Sequence, residues 1–299
     1  EALKKCEFLV VVDYWMTPTA LFADYVFPAA GALERPTIVT HYGATDSLMG
    51  GSRAIQPKFD RHTDMVFWRK LGLACGQDPA NWPWETEEEA YYHIMEPLGL
   101  PISCYDDFVS MIRMYYPPLH QKKFEANGGF WTPSGKVELY SIVYEAWGED
   151  PLPYYEEPNY SPISKPDFAG QYPLITTSGS RRYSSFHSEH RQVPSLRAIM
   201  PDPLVQINPE TAAKYGIKDG DWVCIENPLG KAIEKAQITP IVDPRVIHAQ
   251  HGWWFPEQDP ETPNLSGVWK SNINSLIPHQ AIGRIGFGAP FKNVACRIY

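Results

Sequence analysis

Apolar residues along this chain fall into two rhythms. Residues 8–12, Phe-Leu-Val-Val-Val, form an unbroken apolar run closed by Asp13. That is the pattern of a buried parallel strand whose carboxyl end opens into a loop. A turn over residues 14–18 and a small helix over 20–23 lead to a second strand over 25–28. Strand, helix and strand in so few residues predict α/β packing, in which ligands sit just beyond strand carboxyl ends. Asp13 is therefore a candidate for a polar ligand edge, although an acid there also serves as a turn or cap residue. From Thr63 the rhythm is helical: Met65, Trp68 and Leu71 share a face and Gly76 stops the helix. Residues 85–95 and 106–115 predict two more helices, each with the acidic start that suits the helix dipole. A turn-rich loop over 128–136 feeds an extended run over 137–143.

The later half is patterned for strands. Residues 172–177 read as a β run, residues 246–257 as a β run ending in an aromatic cluster, and residues 294–298 close the chain as a last strand. Between them lies Asn208-Pro209-Glu210-Thr211-Ala212-Ala213-Lys214-Tyr215-Gly216. Asn208 caps a short helix, Pro209 fits its first position, and Gly216 takes the left-handed conformation that ends it. Asp219-Gly220 then turns into the strand 222–226, and Asn227-Pro228-Leu229-Gly230 turns into another over 231–239. One compact helix against a β-hairpin is the expected frame. The β run 246–257 ends in the aromatics Trp253, Trp254 and Phe255. Three successive aromatics cannot all face one core, so at least one is expected to line a cleft or interface.

Composition narrows the function without naming it. At 299 residues the chain has room for two cores. No apolar run reaches the roughly 18 residues of a membrane span. The net charge is −9, with no basic block or basic–aromatic repeat, which argues against nucleic acid as a partner. The five cysteines are scattered without a Cys-x-x-Cys pair, so they form neither a zinc nor an iron–sulfur motif. Cys224 and Cys296 lie in apolar β runs and read as small buried hydrophobes. Six prolines between Pro151 and Pro173 mark an extended connector, placing a domain boundary near residue 170.

Candidate chemistry concentrates in Ser178-Gly179-Ser180-Arg181-Arg182-Tyr183-Ser184-Ser185-Phe186-His187-Ser188-Glu189-His190-Arg191. Arginine offers paired donors to phosphate or heteroaromatic edges, and serine hydroxyls add more. His187 and His190 could ligate a metal, yet the arginine-rich setting disfavours a cation. An anion or polar-heterocycle grip is the better physical reading, with a solvated loop as the alternative. Asn272 and Asn274 offer amides that read donor–acceptor edges or shape a turn.

Four motifs in order carry a resemblance. Asp13-x-x-x-Thr17-x-Thr19-x-x-x-Ala23-Asp24-x-Val26-x-Pro28-Ala29, continued by Leu33-Glu34-Arg35, is similar to the strand and "A-D-x-V-L-P" segment of the dimethyl sulfoxide reductase family. These are molybdenum or tungsten oxidoreductases with bis-molybdopterin guanine dinucleotide. Thr132-Pro133-Ser134-Gly135-Lys136-Val137-Glu138 resembles the family's "T-P-S-G-K-x-E" segment. Asn208-Pro209 through Gly220-Asp221 resembles its "N-P-x-x-A-x-x-x-G-I-x-D-G-D" core. The run from His251 to Glu257 is similar to the branch holding catechol dehydroxylases, transhydroxylases and acetylene hydratase. Residues 80–125 are the least matched.

The resemblance implies an α/β fold, a partial Rossmann-like domain over residues 1–147, then a Pro-rich connector over 148–170. Residues 171–299 would be a β-rich double-psi β-barrel that binds the dinucleotide. It assigns nucleotide contacts to Asp13, Arg35 and Asp64. Pterin and diphosphate contacts fall to Thr177, Ser178, Gly179, Arg181, His187, Ser188, Asn274 and Lys292. The loop after Thr177 is longer than the family's usual form, which leaves its register open by one or two residues. The implied activity is two-electron redox, oxygen-atom transfer or dehydroxylation, on a small substrate. Alternatives are a formate dehydrogenase, an oxyanion reductase of nitrate, thiosulfate or arsenate, or a non-catalytic pterin-binding module. The metal ligand and any [4Fe-4S] motif are expected upstream, so the chain reads as an inactive piece of a larger enzyme. An iron–sulfur electron-transfer subunit is the implied partner. The expected location is soluble, cytoplasmic or periplasmic, or at a membrane through that partner.

Overall fold

A computed structural model describes residues 2–40, 47–117, 122–157, 161, 163–179, 184, 187–278 and 292–299. The chain divides into two compact units, Glu1–Val137 and Glu138–Tyr299. No described helix is long and apolar enough to cross a membrane.

In the first unit β1 (Val10–Asp13) pairs in parallel with β2 (Tyr25–Pro28), with Asp13 opposite Pro28. β1 is less buried than its apolar run predicts, with Val10 38% exposed. The predicted helix between the strands is a single 3-10 turn, Ala20–Phe22. β3 (Thr37–Thr40), β4 (Leu48–Gly51) and β5 (Met114–Tyr115) form an antiparallel sheet. Helix α1 (Asp64–Ala74) starts at the Thr63 cap, whose hydroxyl accepts from Val66 N. Its Trp68 and Leu71 face outward, and the aromatic packed inward is Phe67, 5.2 Å from the Phe27 ring. Helix α2 (Glu87–Met95) carries a reciprocal cap between Thr86 and Glu89. The helix expected over 106–115 is shorter. α3 (Tyr105–Asp107) widens into a π turn at Phe108–Ile112 and ends at Arg113, whose φ is 57°. β5 follows, so Met114 and Tyr115 pair with β4 instead of extending a helix. Leu48, Met95, Tyr105, Phe108 and Val109 form this unit's core.

A short α4 (Lys123–Ala126) precedes the turn-rich loop. In the second unit the extended run expected over 137–143 is instead followed by α5 (Ile142–Ala146), capped by the Ser141 hydroxyl on Tyr144 N at 3.2 Å. α6 (Pro166–Gln171) leads into β6 (Leu174–Gly179). α7 (Pro194–Ile199), β7 (Leu204–Ile207) and α8 (Pro209–Tyr215) follow, then β8 (Trp222–Asn227), β9 (Gly230–Ile238), β10 (Val246–Gln250) and β11 (Val294–Ile298).

The six strands close into one barrel in the order β10-β6-β11-β8-β9-β7. β6 and β10 are parallel neighbours, as are β7 and β9, and the remaining pairs are antiparallel. Alternate residues point inward, so Val205, Ile207, Val223, Ile225, Ala232, Ala236, Ile247, Ala249, Cys296 and Ile298 fill the interior. Burial of Cys296 pushes its thiol up to about 12. α8 is built as its sequence predicts, with Asn208 Oδ1 accepting from Glu210 N at 2.9 Å and Gly216 left-handed at φ 69°. This pairing brings the carboxyl ends of β6, β8 and β10 and the amino ends of β7, β9 and β11 to one rim.

Candidate functional site

That rim carries the polar residues. On β6, Ser178 is buried while Thr177 and Gly179 are half-buried. Register places His248 beside Thr177 and Gln250 beside Gly179. Thr177 Oγ1 lies 2.6 Å from His248 Nδ1. One residue beyond β10, His251 Nδ1 lies 2.5 Å from the Gly179 carbonyl oxygen. A carbonyl only accepts, so Nδ1 carries the proton. The bare Nε2 of the neutral ring then accepts from His187 Nδ1, 2.5 Å away. Burial lowers the His251 pKa, against the Gly179 hydrogen bond, and His187, Arg191 and Lys292 lower it further. Neutral His251 and this relay of tautomers are mutually consistent.

Lys292, just before β11, donates from Nζ to the Ser178 carbonyl at 2.6 Å. Gly179 allows this approach, since a Cβ there would stand 3.0 Å from Lys292 Nζ. Arg191 is 3% exposed and donates through NH2 to the His187 carbonyl at 2.8 Å. Its Nε and NH1 have no acceptor among the described residues. Its guanidinium lies 4.3 Å from the centre of the Trp253 ring. Burial and neighbouring Arg197 lower its pKa to about 10. Arg197 lies 5.0 Å from the same ring and pairs with Glu257 at 3.0 Å.

The structure therefore brings together Thr177, Ser178, Gly179, His187 and Lys292, with Ser188 joined through its backbone. Asn274 lies on the 3-10 turn Ile273–Leu276, exposed. Asn227 Nδ2, at the end of β8, donates to Leu276 O at 2.8 Å and sets this turn at the same rim. Arg181 lies outside the described residues. Asp13, Arg35 and Asp64 belong to the first unit. The Asp13 carboxylate accepts from Trp15 N at 3.2 Å, a turn role. Arg35 is half-buried, and Asp64 is the exposed first residue of α1.

One expectation is overturned. Trp253, Trp254 and Phe255 are all buried, at 0%, 4% and 5% exposure. The chain leaves the strand at Gly252, whose φ is 69°, so strand alternation no longer applies. Trp253 meets two arginines, Trp254 Nε1 donates to Ser188 O at 3.1 Å, and Phe255 packs edge-on against Trp253. Sequence reasoning named Arg191 only as the end of the candidate loop and missed His248 and His251 as members of the site. The only local signal of these two histidines was the polar residues interrupting an apolar β run; the pairing of β6 with β10 supplies the rest.

An open cleft of about 640 Å³ involves Pro173, Lys214, Tyr215, Arg297 and Tyr299, at the opposite rim. In the first unit a cleft of about 460 Å³ is lined by Ser52, Arg53, Gln56, Thr86, Glu88 and Asp106. Neither cleft includes a residue of the site above.

The family model for the molydopterin dinucleotide binding domain matches residues 174–295, from the start of β6 into β11. Acetylene hydratase of Syntrophotalea acetylenica is 34% identical over 309 residues, covering 99% of this chain and 41% of that protein. The chain belongs to the dimethyl sulfoxide reductase family of molybdopterin oxidoreductases. Within this family, dopamine dehydroxylase of Eggerthella lenta is 30% identical over 352 residues, covering 94% of this chain and 34% of that protein. The solved structure of acetylene hydratase from Pelobacter acetylenicus superposes with a TM-score of 0.90 at 30% identity, over 99% of this chain and 41% of that one. The chain thus spans about two fifths or less of these family members.

Proposed function

We propose that this chain is the carboxyl-terminal, cofactor-holding portion of a molybdenum or tungsten enzyme with bis-molybdopterin guanine dinucleotide. Its reaction is two-electron chemistry, oxygen-atom transfer or dehydroxylation, on a small substrate. The observation that carries this reading is the coincidence of the dinucleotide-binding family match with the cationic, hydrogen-bonding rim around Gly179, His187, Arg191 and Lys292.

The residues fit such a group. Two buried guanidinium nitrogens of Arg191 lack acceptors among the described residues, and a lysine ammonium closes over a glycine. Guanidinium and ammonium suit diphosphate oxygens, and ring nitrogens and amides suit the pterin edge. In this reading Thr177, Ser178, Gly179, Arg181, His187, Ser188, Asn274 and Lys292 hold the pterin and diphosphate. Asp13, Arg35 and Asp64 serve a guanosine end, because carboxylates match guanine N–H donors. Residues 1–147 are then part of a Rossmann-like domain, residues 148–170 a connector, and residues 171–299 a double-psi barrel. When bound, the group supplies the metal centre and the electron pair; the protein supplies binding, orientation and electrostatics. The metal ligand and any iron–sulfur cluster belong to residues beyond this chain, and an iron–sulfur subunit completes the electron path.

The test is to purify the intact enzyme and measure molybdenum, tungsten and pterin guanine dinucleotide per chain. Turnover of catechols with a reduced viologen donor is then assayed. Metal and dinucleotide are expected in the intact enzyme, and no turnover by these 299 residues alone. Absence of dinucleotide from the intact enzyme overturns the reading. A second reading, hydration without net redox, is favoured by the acetylene hydratase similarity. It predicts substrate consumption with no electron donor consumed.

A further inference from the structure

Four consecutive residues after β10 converge on one dipeptide. His251 Nε2 accepts from His187 Nδ1 at 2.5 Å. Gly252 packs against the same backbone, where a Cβ would stand 3.3 Å from the His187 carbonyl carbon and 3.4 Å from Ser188 N. Trp253 lies under Arg191, which in turn donates to the His187 carbonyl at 2.8 Å. Trp254 Nε1 donates to the Ser188 carbonyl at 3.1 Å. His187 itself has φ 52°, a left-handed backbone that a histidine keeps only when its surroundings hold it.

A plug for the barrel mouth would bury these rings in any arrangement. Here each residue of 251–254 acts on His187 or Ser188 or on the arginine that holds them, through a ring nitrogen, a bare Cα, a relayed guanidinium and an indole N–H. We propose that residues 251–254 are a positioning clamp that fixes the His187–Ser188 turn in its dinucleotide-binding conformation. The clamp rests on the reading of His187 and Ser188 as cofactor contacts.

The clamp has a built-in pH dependence. Protonating His251 places a second N–H opposite the His187 N–H, and that contact is lost. The groups facing His251 are the Gly179 carbonyl from β6, His187 and Arg191 from the following loop, and Lys292 before β11. All the ionisable ones hold it neutral.

The experiment uses the intact enzyme with three substitutions. His251→Phe removes both ring nitrogens, while His251→Gln keeps an amide oxygen to accept from His187 and an N–H for Gly179. Trp254→Phe removes the indole N–H and keeps an aromatic ring. Histidine nitrogen NMR reads the His187 tautomer, and dinucleotide fluorescence reads the dissociation constant. The expected result is an Nδ1-protonated His187 that loses this preference in His251→Phe. Dinucleotide affinity should fall by about 3- to 10-fold in His251→Phe and in Trp254→Phe, the range for one lost hydrogen bond. His251→Gln restores it and also abolishes the weakening of wild-type binding below the ordinary histidine range. An unchanged His187 tautomer in His251→Phe, with affinity unchanged in Trp254→Phe, overturns the clamp. A changed tautomer with unchanged affinity upholds the clamp and instead overturns the cofactor role of His187–Ser188. If His251→Phe does not fold, Trp254→Phe against His251→Gln decides the matter.

Discussion

Glu234 is the most unusual single residue in the barrel. It is fully buried on β9, with Oε2 accepting from Gln250 N at 3.1 Å and Oε1 without a partner among the described residues. Burial pushes its carboxyl well above the usual range, and the Gln250 hydrogen bond only partly opposes this. A carboxyl with a raised folded pKa contributes its stability at pH values below the unfolded pKa. That contribution is lost as pH rises toward the folded value, because unfolding then releases a proton. Glu234→Gln mimics the neutral acid without the proton. We expect wild-type unfolding free energy to fall as pH rises above the ordinary carboxylate range, with a limiting slope of about 1.4 kcal/mol per pH unit. The variant should lack that slope in urea melts at several pH values. Parallel curves for the two proteins would contradict a protonated Glu234. Nothing in the sequence flagged this residue: Lys-Ala-Ile-Glu-Lys alternates like any strand, and only the β9 register sends the acid inward.

At the scale of elements, legibility followed sequence distance. The α8 cap and the β8–β9 hairpin were readable because every partner lies within a few residues. Asn208→Ala should lower stability by about 1–2 kcal/mol, since it removes the cap on Glu210 N and the bond from Nδ2 to Val242 O at 2.8 Å. Dinucleotide binding per folded chain should not change, which separates frame from site by comparing melts with binding. The stretch over 105–115 misled because its helical pattern hides a left-handed Arg113 that turns the chain into β5. The aromatic run misled because Gly252 ends the strand before alternation can act. The site was half legible. Ser178, Gly179 and His187 stood out by composition, but His248 and His251 reach them through a parallel pairing of strands about 70 residues apart.

At the scale of the whole molecule, opposed titrations set the pH range of stability. Glu34 is held below the carboxylate range by the Gly31 backbone N–H, against burial, with the Lys58 N–H and Arg61 adding to it. Glu226 is lowered by its hydrogen bond to Arg297, and Asp243 by that to Arg245, to about 2. Such depressed groups contribute stability above their unfolded pKa and lose it as pH falls through the folded one. Glu234 acts in the opposite sense on the alkaline side. Thermal melts should therefore be highest in mildly acidic buffer and decline both below about pH 4 and toward pH 8. A maximum above pH 8 would contradict these assignments.

The barrel is closed by its last strand, and this has a consequence for synthesis. β11 pairs with β6 on one side and β8 on the other, bridging positions more than 110 residues apart on the β6 side. Until it emerges from the ribosome, both neighbours expose unpaired edges, and Lys292 has not reached Ser178. The rim is thus the last part of this barrel to form, once β11 is in place. A chain stopped before Val294 should aggregate and retain no dinucleotide, as pelleting and pterin fluorescence would report.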